Sequence, residues 1–312
     1  MHLISAEQLD AIFSWHRLIN CLREAFRGDT VTPARHQHTI TLPDQPDATL
    51  LLLPAWRPGL IAGIKVVSVF PGNAERGLPA IDGIYYLIDG RTGESLAVID
   101  GARLTLWKTA AASALAASYL ARKDVDELLI VGTGKLAPFL ARAHCSIRNF
   151  RRVRIWGRNP EKSARVAEAL AGLAPRVEHV IDLENAARGA GLISCATLAT
   201  EPLIGGRWLS PGTHLDLVGG FTPLMREADD EAIRRGAVFL DTPEAGEKAG
   251  DIVQPLESGM LAPSDIAADL FDLCRGDHKG RADAEQITVF KSAGSALLDL
   301  AAARLAFEGV VR

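Results

Sequence analysis

The chain has 312 residues, 48% of them hydrophobic and 23% charged, with a formal net charge of -4, a length that allows two domains with separate cores. Its acids and bases are scattered rather than blocked, which excludes a nucleic-acid or membrane-surface binder and leaves a small molecule as the expected partner. Cys21, Cys145, Cys195 and Cys274 show no C-x-x-C spacing, so neither a zinc site nor a disulfide framework is indicated; no basic-then-apolar leader and no long apolar run is present, and the cytoplasm is the expected location.

Taken in chain order, Ser5 and Gln8 form a capping box that opens a helix over residues 5–27, with Trp15, Leu18, Ile19, Leu22 and Phe26 on one face and Gly28 at its end. Short β-type runs follow at 50–53, 61–70, 83–89 and 96–100, with Asp89-Gly90-Arg91-Thr92-Gly93 as a hairpin loop. They predict an α+β unit with a mostly antiparallel sheet. An Ala-rich helix is expected over 105–122. Beyond it, strands near 128–131, 153–156, 177–181, 192–195, 214–218 and 238–241 alternate with amphipathic helices, the pattern of an α/β, doubly wound parallel sheet. The strand-like run 287–290 and the helix after it fit either domain.

The clearest motif is Gly132-Thr133-Gly134-Lys135-Leu136-Ala137, a G-x-G-x-x-A between a strand and a helix. Gly132 permits the tight turn, Gly134 lets a pyrophosphate approach the backbone, and Ala137 lets helix and strand pack closely. The phosphates would rest on the helix N-terminus. The next strand ends in Trp156-Gly157-Arg158-Asn159-Pro160-Glu161-Lys162. An acid here would suit the ribose 2′-hydroxyl of NAD, whereas Arg158 and Lys162 suit a 2′-phosphate, so NADPH is the expected cofactor over NADH. The loops after the fourth and fifth strands, Cys195-Ala196-Thr197 and Gly219-Gly220-Phe221-Thr222-Pro223, either let a nicotinamide lie close to the backbone or are ordinary turns.

Three cations stand out in the first domain. Strand alternation puts Lys65 on the face of Val67 and Val69, where an ammonium needs an anion or a polar cavity. Lys108 is expected in the first helical turn after Thr105, opposing the helix dipole unless both hold a carboxylate. Arg35, in a β-like run, could add a bidentate fork. The three either grip one substrate carboxylate or are separate structural and surface cations. His36 and His38 share a strand face without a third ligand, and no metal site is expected. Asp216, Asp241 and Asp299 read as turn or helix residues, and no Ser-His-Asp order or nucleophile elbow is present.

The segments Gly63-Ile64-Lys65, Gly77-Leu78-Pro79, Thr92-Gly93-Glu94, residues 104–111, the glycine fingerprint, residues 214–220 and Phe290-Lys291-Ser292-Ala293-Gly294 run in the order of one family across nearly the whole chain. The sequence resembles the ornithine cyclodeaminase and mu-crystallin family. That resemblance implies a discontinuous substrate-binding and dimerisation domain, residues 1–120 with 291–312, around an NADP-binding Rossmann domain, residues 121–290, in a homodimer. It implies that Arg35, Lys65 and Lys108 bind the substrate carboxylate, with Lys65 also catalytic, and that Thr109, Val218, Gly219 and Ser292 join Gly132 to Ala137, Arg158, Asn159, Lys162, Cys195, Ala196 and Thr197 around the cofactor. Two departures matter. Lys108 stands where the family usually has Arg, and Phe221 stands where its cyclodeaminases carry Asp, so ornithine cyclisation is disfavoured. The stretch 216–223 is more similar to the imine reductases, which implies reduction of 1-pyrroline-2-carboxylate or 1-piperideine-2-carboxylate to proline or pipecolate. An alanine-type amino-acid dehydrogenase and a non-catalytic, crystallin-like binding protein are the alternatives. Lys65, a bound water or the solution itself could supply the proton.

Overall fold

The structure, a computed structural model, describes residues 1–311. Its internal contacts divide the chain into Met1–Lys108 with Ser295–Arg312, and Thr109–Gly294; the resemblance implies boundaries after residue 120 and before residue 291.

The first unit contains β1 (His2–Ile4), α1 (Ala6–Ile12), α2 (Trp15–Arg27), β2 (His36–Ile40), β3 (Ala48–Arg57), β4 (Ile61–Val69), β5 (Ile81–Asp89) and β6 (Ser95–Asp100), followed by the start of α3 (Gly101–Leu120). The capping box at Ser5 and Gln8 is present. The single helix expected over 5–27 is instead two. Phe13 leaves the helical conformation with ψ 134°, which turns its ring edge-on to Trp107 at 5.5 Å. Asp89 closes the β5–β6 hairpin by accepting from the amides of Arg91 and Thr92, and Gly93 takes φ 75°. Helix α3 begins at Gly101 rather than near 105, because the Asp100 carboxylate accepts from the Arg103 amide at 2.7 Å and so caps it. Lys108 therefore lies beyond the first turn, and the expected conflict with the helix dipole does not arise.

Six strands form one sheet in the order β1-β6-β5-β4-β3-β2, antiparallel throughout except for β1 beside β6. The last helix of the chain, α11 (Ala296–Val310), packs on α2, β3, β4 and β5. Alternation then sorts the strands: Ile61, Gly63 and Lys65 of β4 and Tyr85 and Leu87 of β5 are buried, while Ile64, Val66, Ile84 and Tyr86 on the opposite face are not.

The second unit continues with β7 (Glu127–Val131), α4 (Ala137–Ile147), β8 (Arg152–Trp156), α5 (Pro160–Ala169), β9 (Arg176–Val180), α6 (Leu183–Gly189), β10 (Leu192–Cys195), β11 (His214–Leu217), α7 (Asp230–Arg235), β12 (Ala237–Leu240), α8 (Ala245–Lys248), α9 (Gly250–Glu257), β13 (Ile266–Asp269), α10 (Leu270–Arg275) and β14 (Thr288–Lys291). All eight strands run parallel in the order β13-β12-β14-β11-β10-β7-β8-β9. The run 287–290 thus belongs here, inserted between β11 and β12. Strand order reverses between β7 and β10, which is where open α/β sheets bind ligands. Asp216 is not a turn or helix residue. It sits within β11, fully buried, accepting from Ser113 Oγ at 3.1 Å and Ser194 Oγ at 2.5 Å and facing His144 Nε2 at 3.3 Å. Among the described residues no helix is long and apolar enough to cross a membrane, and no three His, Cys, Asp or Glu side chains group to hold a metal ion.

Candidate active site

Lys65 enters the buried face of its sheet because β4 alternates, and it meets the anion that its burial demands. Its Nζ donates to Asp299 Oδ1 at 3.1 Å and to Thr105 Oγ1 at 2.5 Å. Thr105 in turn donates to the Gly101 carbonyl, so its oxygen is free to accept. Lys108 Nζ lies 3.5 Å from the other oxygen, Asp299 Oδ2. The three residues are 8%, 4% and 1% exposed in the order Lys65, Lys108, Asp299. Two cations therefore share one carboxylate in a region where an unmatched charge is costly. Burial lowers the Lys65 pKa, Asp299 opposes that shift and Lys108 reinforces it. An ammonium has three donors; Lys65 spends two on Thr105 and Asp299, leaving one N–H for a further acceptor. Tyr85 lies beside this cluster, its ring over Gly63 where a Cβ would stand 2.5 Å away. Arg35 is not gathered in: it is exposed, just ahead of β2, and forms no ion pair with a described residue. His36 and His38 are exposed on the edge strand β2.

In the second unit the glycine turn after β7 is built as its residue types require. Gly132 adopts φ 126°, and a Cβ there would meet the Ala196 carbonyl oxygen at 2.5 Å. Gly134 has no heavy atom within 4 Å of the Cβ position, so a ligand can approach its backbone. Lys135 is exposed, and α4 starts at Ala137 with Leu136 supplying no side-chain cap, which leaves first-turn amide donors for another acceptor. Thr133 packs on Gly157, where a Cβ would lie 2.5 Å from its methyl group. That contact brings the end of β8 beside the glycine turn. Arg158 and Lys162 follow there, exposed and without an ion pair among the described residues, while Asn159 Oδ1 is occupied in capping α5 through the Lys162 amide.

Cys195 ends β10, Ala196 and Thr197 follow it, and Val218, Gly219 and Gly220 follow β11. Cys195 points into the core, and burial raises its thiol pKa well above the usual range. Ser292 Oγ donates to Asp241 Oδ2 at 2.8 Å, and the Ala293 and Gly294 amides reach the same oxygen. Thr109 is half-buried on α3. Sequence reasoning missed the acids that organise these segments. Asp299 serves Lys65 across 234 positions of chain, Asp251 meets Lys291 at 2.9 Å, and Glu227 bonds to Thr197 and Gly219. The available signal was a lone Asp in the apolar run Leu297-Leu298-Asp299-Leu300 and a Lys closing the apolar strand β14: charges inside apolar elements imply buried partners.

The profile of the ornithine cyclodeaminase/mu-crystallin family matches residues 3–312. Among curated relatives, the protein SAR DEFICIENT 4 of Arabidopsis thaliana is 40% identical over 98% of this chain and 96% of its own. A Delta(1)-pyrroline-2-carboxylate reductase of Paracoccus denitrificans is 39% identical over 92% of this chain and 90% of its own. The Delta(1)-pyrroline-2-carboxylate reductase of Thermococcus litoralis, solved in complex with NADH and L-proline, superposes with a TM-score of 0.92 at 31% identity, covering 100% of this chain and 98% of that one. With a full-length profile match and relatives of this similarity, the chain belongs to the ornithine cyclodeaminase/mu-crystallin family.

Proposed function

We propose that this protein is a ketimine reductase that converts 1-pyrroline-2-carboxylate or 1-piperideine-2-carboxylate to L-proline or L-pipecolate with NADPH. The observation that carries the reading is the Lys65–Asp299–Lys108 cluster: two buried ammonium groups on one carboxylate leave a positive charge that a substrate carboxylate would balance. Lys65 and Lys108 bind that carboxylate, with Arg35 as an added contact, and so orient the ring. The nicotinamide, when bound, supplies a hydride to the imine carbon. The proton for the imine nitrogen comes from a bound water or the solution, since the one N–H that Lys65 has left beyond Thr105 and Asp299 is spent on the substrate carboxylate.

The glycine turn fits such a cofactor, because the open space at Gly134 admits a pyrophosphate and the uncapped start of α4 provides donors. Thr133, Lys135, Leu136, Ala137, Thr197, Val218 and Gly219 line the same end of the sheet. Arg158 and Lys162 favour the 2′-phosphate of NADPH; the Thermococcus litoralis relative was solved with NADH. The open, partly apolar face of the first unit's sheet, with Leu50, Leu52, Ile64, Val66, Ile84 and Tyr86, supports a homodimer formed through that face, and four free thiols suit the cytoplasm. Steady-state assays with both cyclic imines, and with pyruvate plus ammonia, each with NADPH and NADH, test the proposal. Turnover of a cyclic imine with NADPH, lost in Lys65→Met, is expected. Turnover of pyruvate and ammonia alone would replace it by an alanine dehydrogenase reading. Arg158→Ala should weaken NADPH binding by roughly tenfold or more and leave NADH unaffected.

A further inference from the structure

The two loops at the carboxyl ends of β10 and β11 are joined by a side chain from further along the second of them, the β11–α7 connection. Glu227 is fully buried. Its Oε1 accepts from the Thr197 amide at 2.7 Å and from Thr197 Oγ1 at 2.8 Å, and its Oε2 accepts from the Gly219 amide at 2.7 Å. All three contacts are donors, so the ionised carboxylate, which only accepts, matches its surroundings. Burial raises the pKa of this group, and Lys291 and the bonds from Thr197 work against that shift.

Glu227 is itself held from below. Asp251 Oδ1 accepts from the amides of Glu227 and Ala228 at 2.8 and 3.1 Å, and Asp251 Oδ2 takes Lys291 Nζ at 2.9 Å. Asp251 and Lys291 are both fully buried. Lys291 stands opposite Leu217 in the β11–β14 register, so the scaffold is anchored in the sheet. On the other side, Thr197 follows Ala196, whose carbonyl abuts Gly132 of the phosphate turn. A Cβ on Gly219 would lie 2.1 Å from the Thr197 carbonyl oxygen and 2.4 Å from Glu227 Oε1. The phosphate turn, the Thr197 loop and the Gly219 loop are thus packed in one line, and a single carboxylate spans the second pair.

We infer that Glu227 is a positioning residue that fixes the Thr197 and Gly219 loops as the floor for the nicotinamide ring, without itself touching the cofactor. This rests on the reading of the second unit as a nicotinamide-nucleotide domain and adds to it the device that sets the ring's position. An apolar side chain at 227 would leave two buried amides without acceptors, and a shorter acid would reach only one loop.

The test compares two nucleotides that share one half. NADPH and 2′-phospho-ADP-ribose carry the same adenosine and diphosphate, and only the first carries the nicotinamide. Titrated calorimetrically into wild type, E227Q and T197V, with thermal unfolding of each apoprotein recorded, they separate positioning from general support. Gln keeps one acceptor oxygen and turns an NH2 towards the other loop's donor. E227Q is therefore expected to bind NADPH roughly tenfold more weakly while 2′-phospho-ADP-ribose changes by less than about twofold. T197V removes the hydroxyl that donates to Glu227 and accepts from the Ala199 amide at 3.3 Å; it should shift NADPH in the same direction by a smaller factor, which carries the test if E227Q does not fold. Equal loss of both nucleotides, or of neither, overturns the inference, as does a wild type for which the nicotinamide adds no affinity. Wild type that binds both nucleotides yet reduces no imine would refute the substrate proposal and leave this one standing.

Discussion

Replacing Asp299 by Asn removes one charge and little volume from the middle of the lysine pair. The contacts at 3.1 Å to Lys65 and 3.5 Å to Lys108 are each worth roughly 5 kcal/mol of Coulomb energy at an effective dielectric of about 20, before desolvation is subtracted. Asn still offers a carbonyl oxygen to Lys65, so the net loss should follow broken buried pairs, about 3–5 kcal/mol. The pH dependence gives the argument a second check. Burial already holds Lys65 below its usual pKa of 10.5, and without the carboxylate it should fall further. A base whose pKa is lower when folded disfavours the folded state at any pH where the unfolded lysine is protonated and the folded one resists it, and this penalty vanishes as pH rises past 10.5. Urea unfolding of wild type and D299N at pH 7 and pH 10 should therefore show a gap that narrows at the higher pH. A gap below about 0.5 kcal/mol at pH 7, or one that does not change with pH, would refute the idea that Asp299 neutralises these lysines.

Two further outcomes follow from the second unit. His214 is fully buried, with Nδ1 2.9 Å from Thr288 Oγ1, and burial pushes its pKa down from 6.5 to about 3; stability is then whole above pH 6.5 and lost as pH falls, about 3 kcal/mol by pH 4, and H214Q should flatten that slope in urea titrations. Gly134→Ala should leave the melting temperature unchanged and weaken nucleotide binding by roughly tenfold or more, whereas Gly132→Ala, driven into the Ala196 carbonyl at 2.5 Å, should lower the melting temperature as well; equal behaviour of the two would mean that the turn has been read wrongly.

The alternation of strands and helices over 127–240 was legible because β7, β10 and β12 are apolar runs and helices with ordinary caps, such as Asn159 on α5 and Asp182 on α6, separate most of the strands. Strand β13 was not, because Ile266-Ala267-Ala268-Asp269 is short and has a single β-branched residue to mark it. The break between α1 and α2 was hidden for a related reason: no Gly or Pro stands at Phe13 or Ser14, and apolar residues keep a helical rhythm through it. At the candidate site, alternation along β4 was enough to show that Lys65 is buried and needs an anion. It could not name Asp299, since pairing across 234 positions leaves no local trace. Glu227 and Asp251 were invisible on the same ground, and Arg35 shows the converse, a promising residue whose surroundings here are open.

Because α11 carries Asp299 and packs on the sheet of the first unit, that unit cannot be finished by its own leading segment. A ribosome must first deliver the whole of Thr109–Gly294, which at typical elongation speeds takes on the order of ten seconds, and for that interval Lys65 and Lys108 have no anion while an apolar sheet surface lies uncovered. Nascent chains stalled before residue 299 should thus be clients for chaperones and proteases through residues 1–108, and a deletion that removes α11 should damage the sheet of that earlier segment.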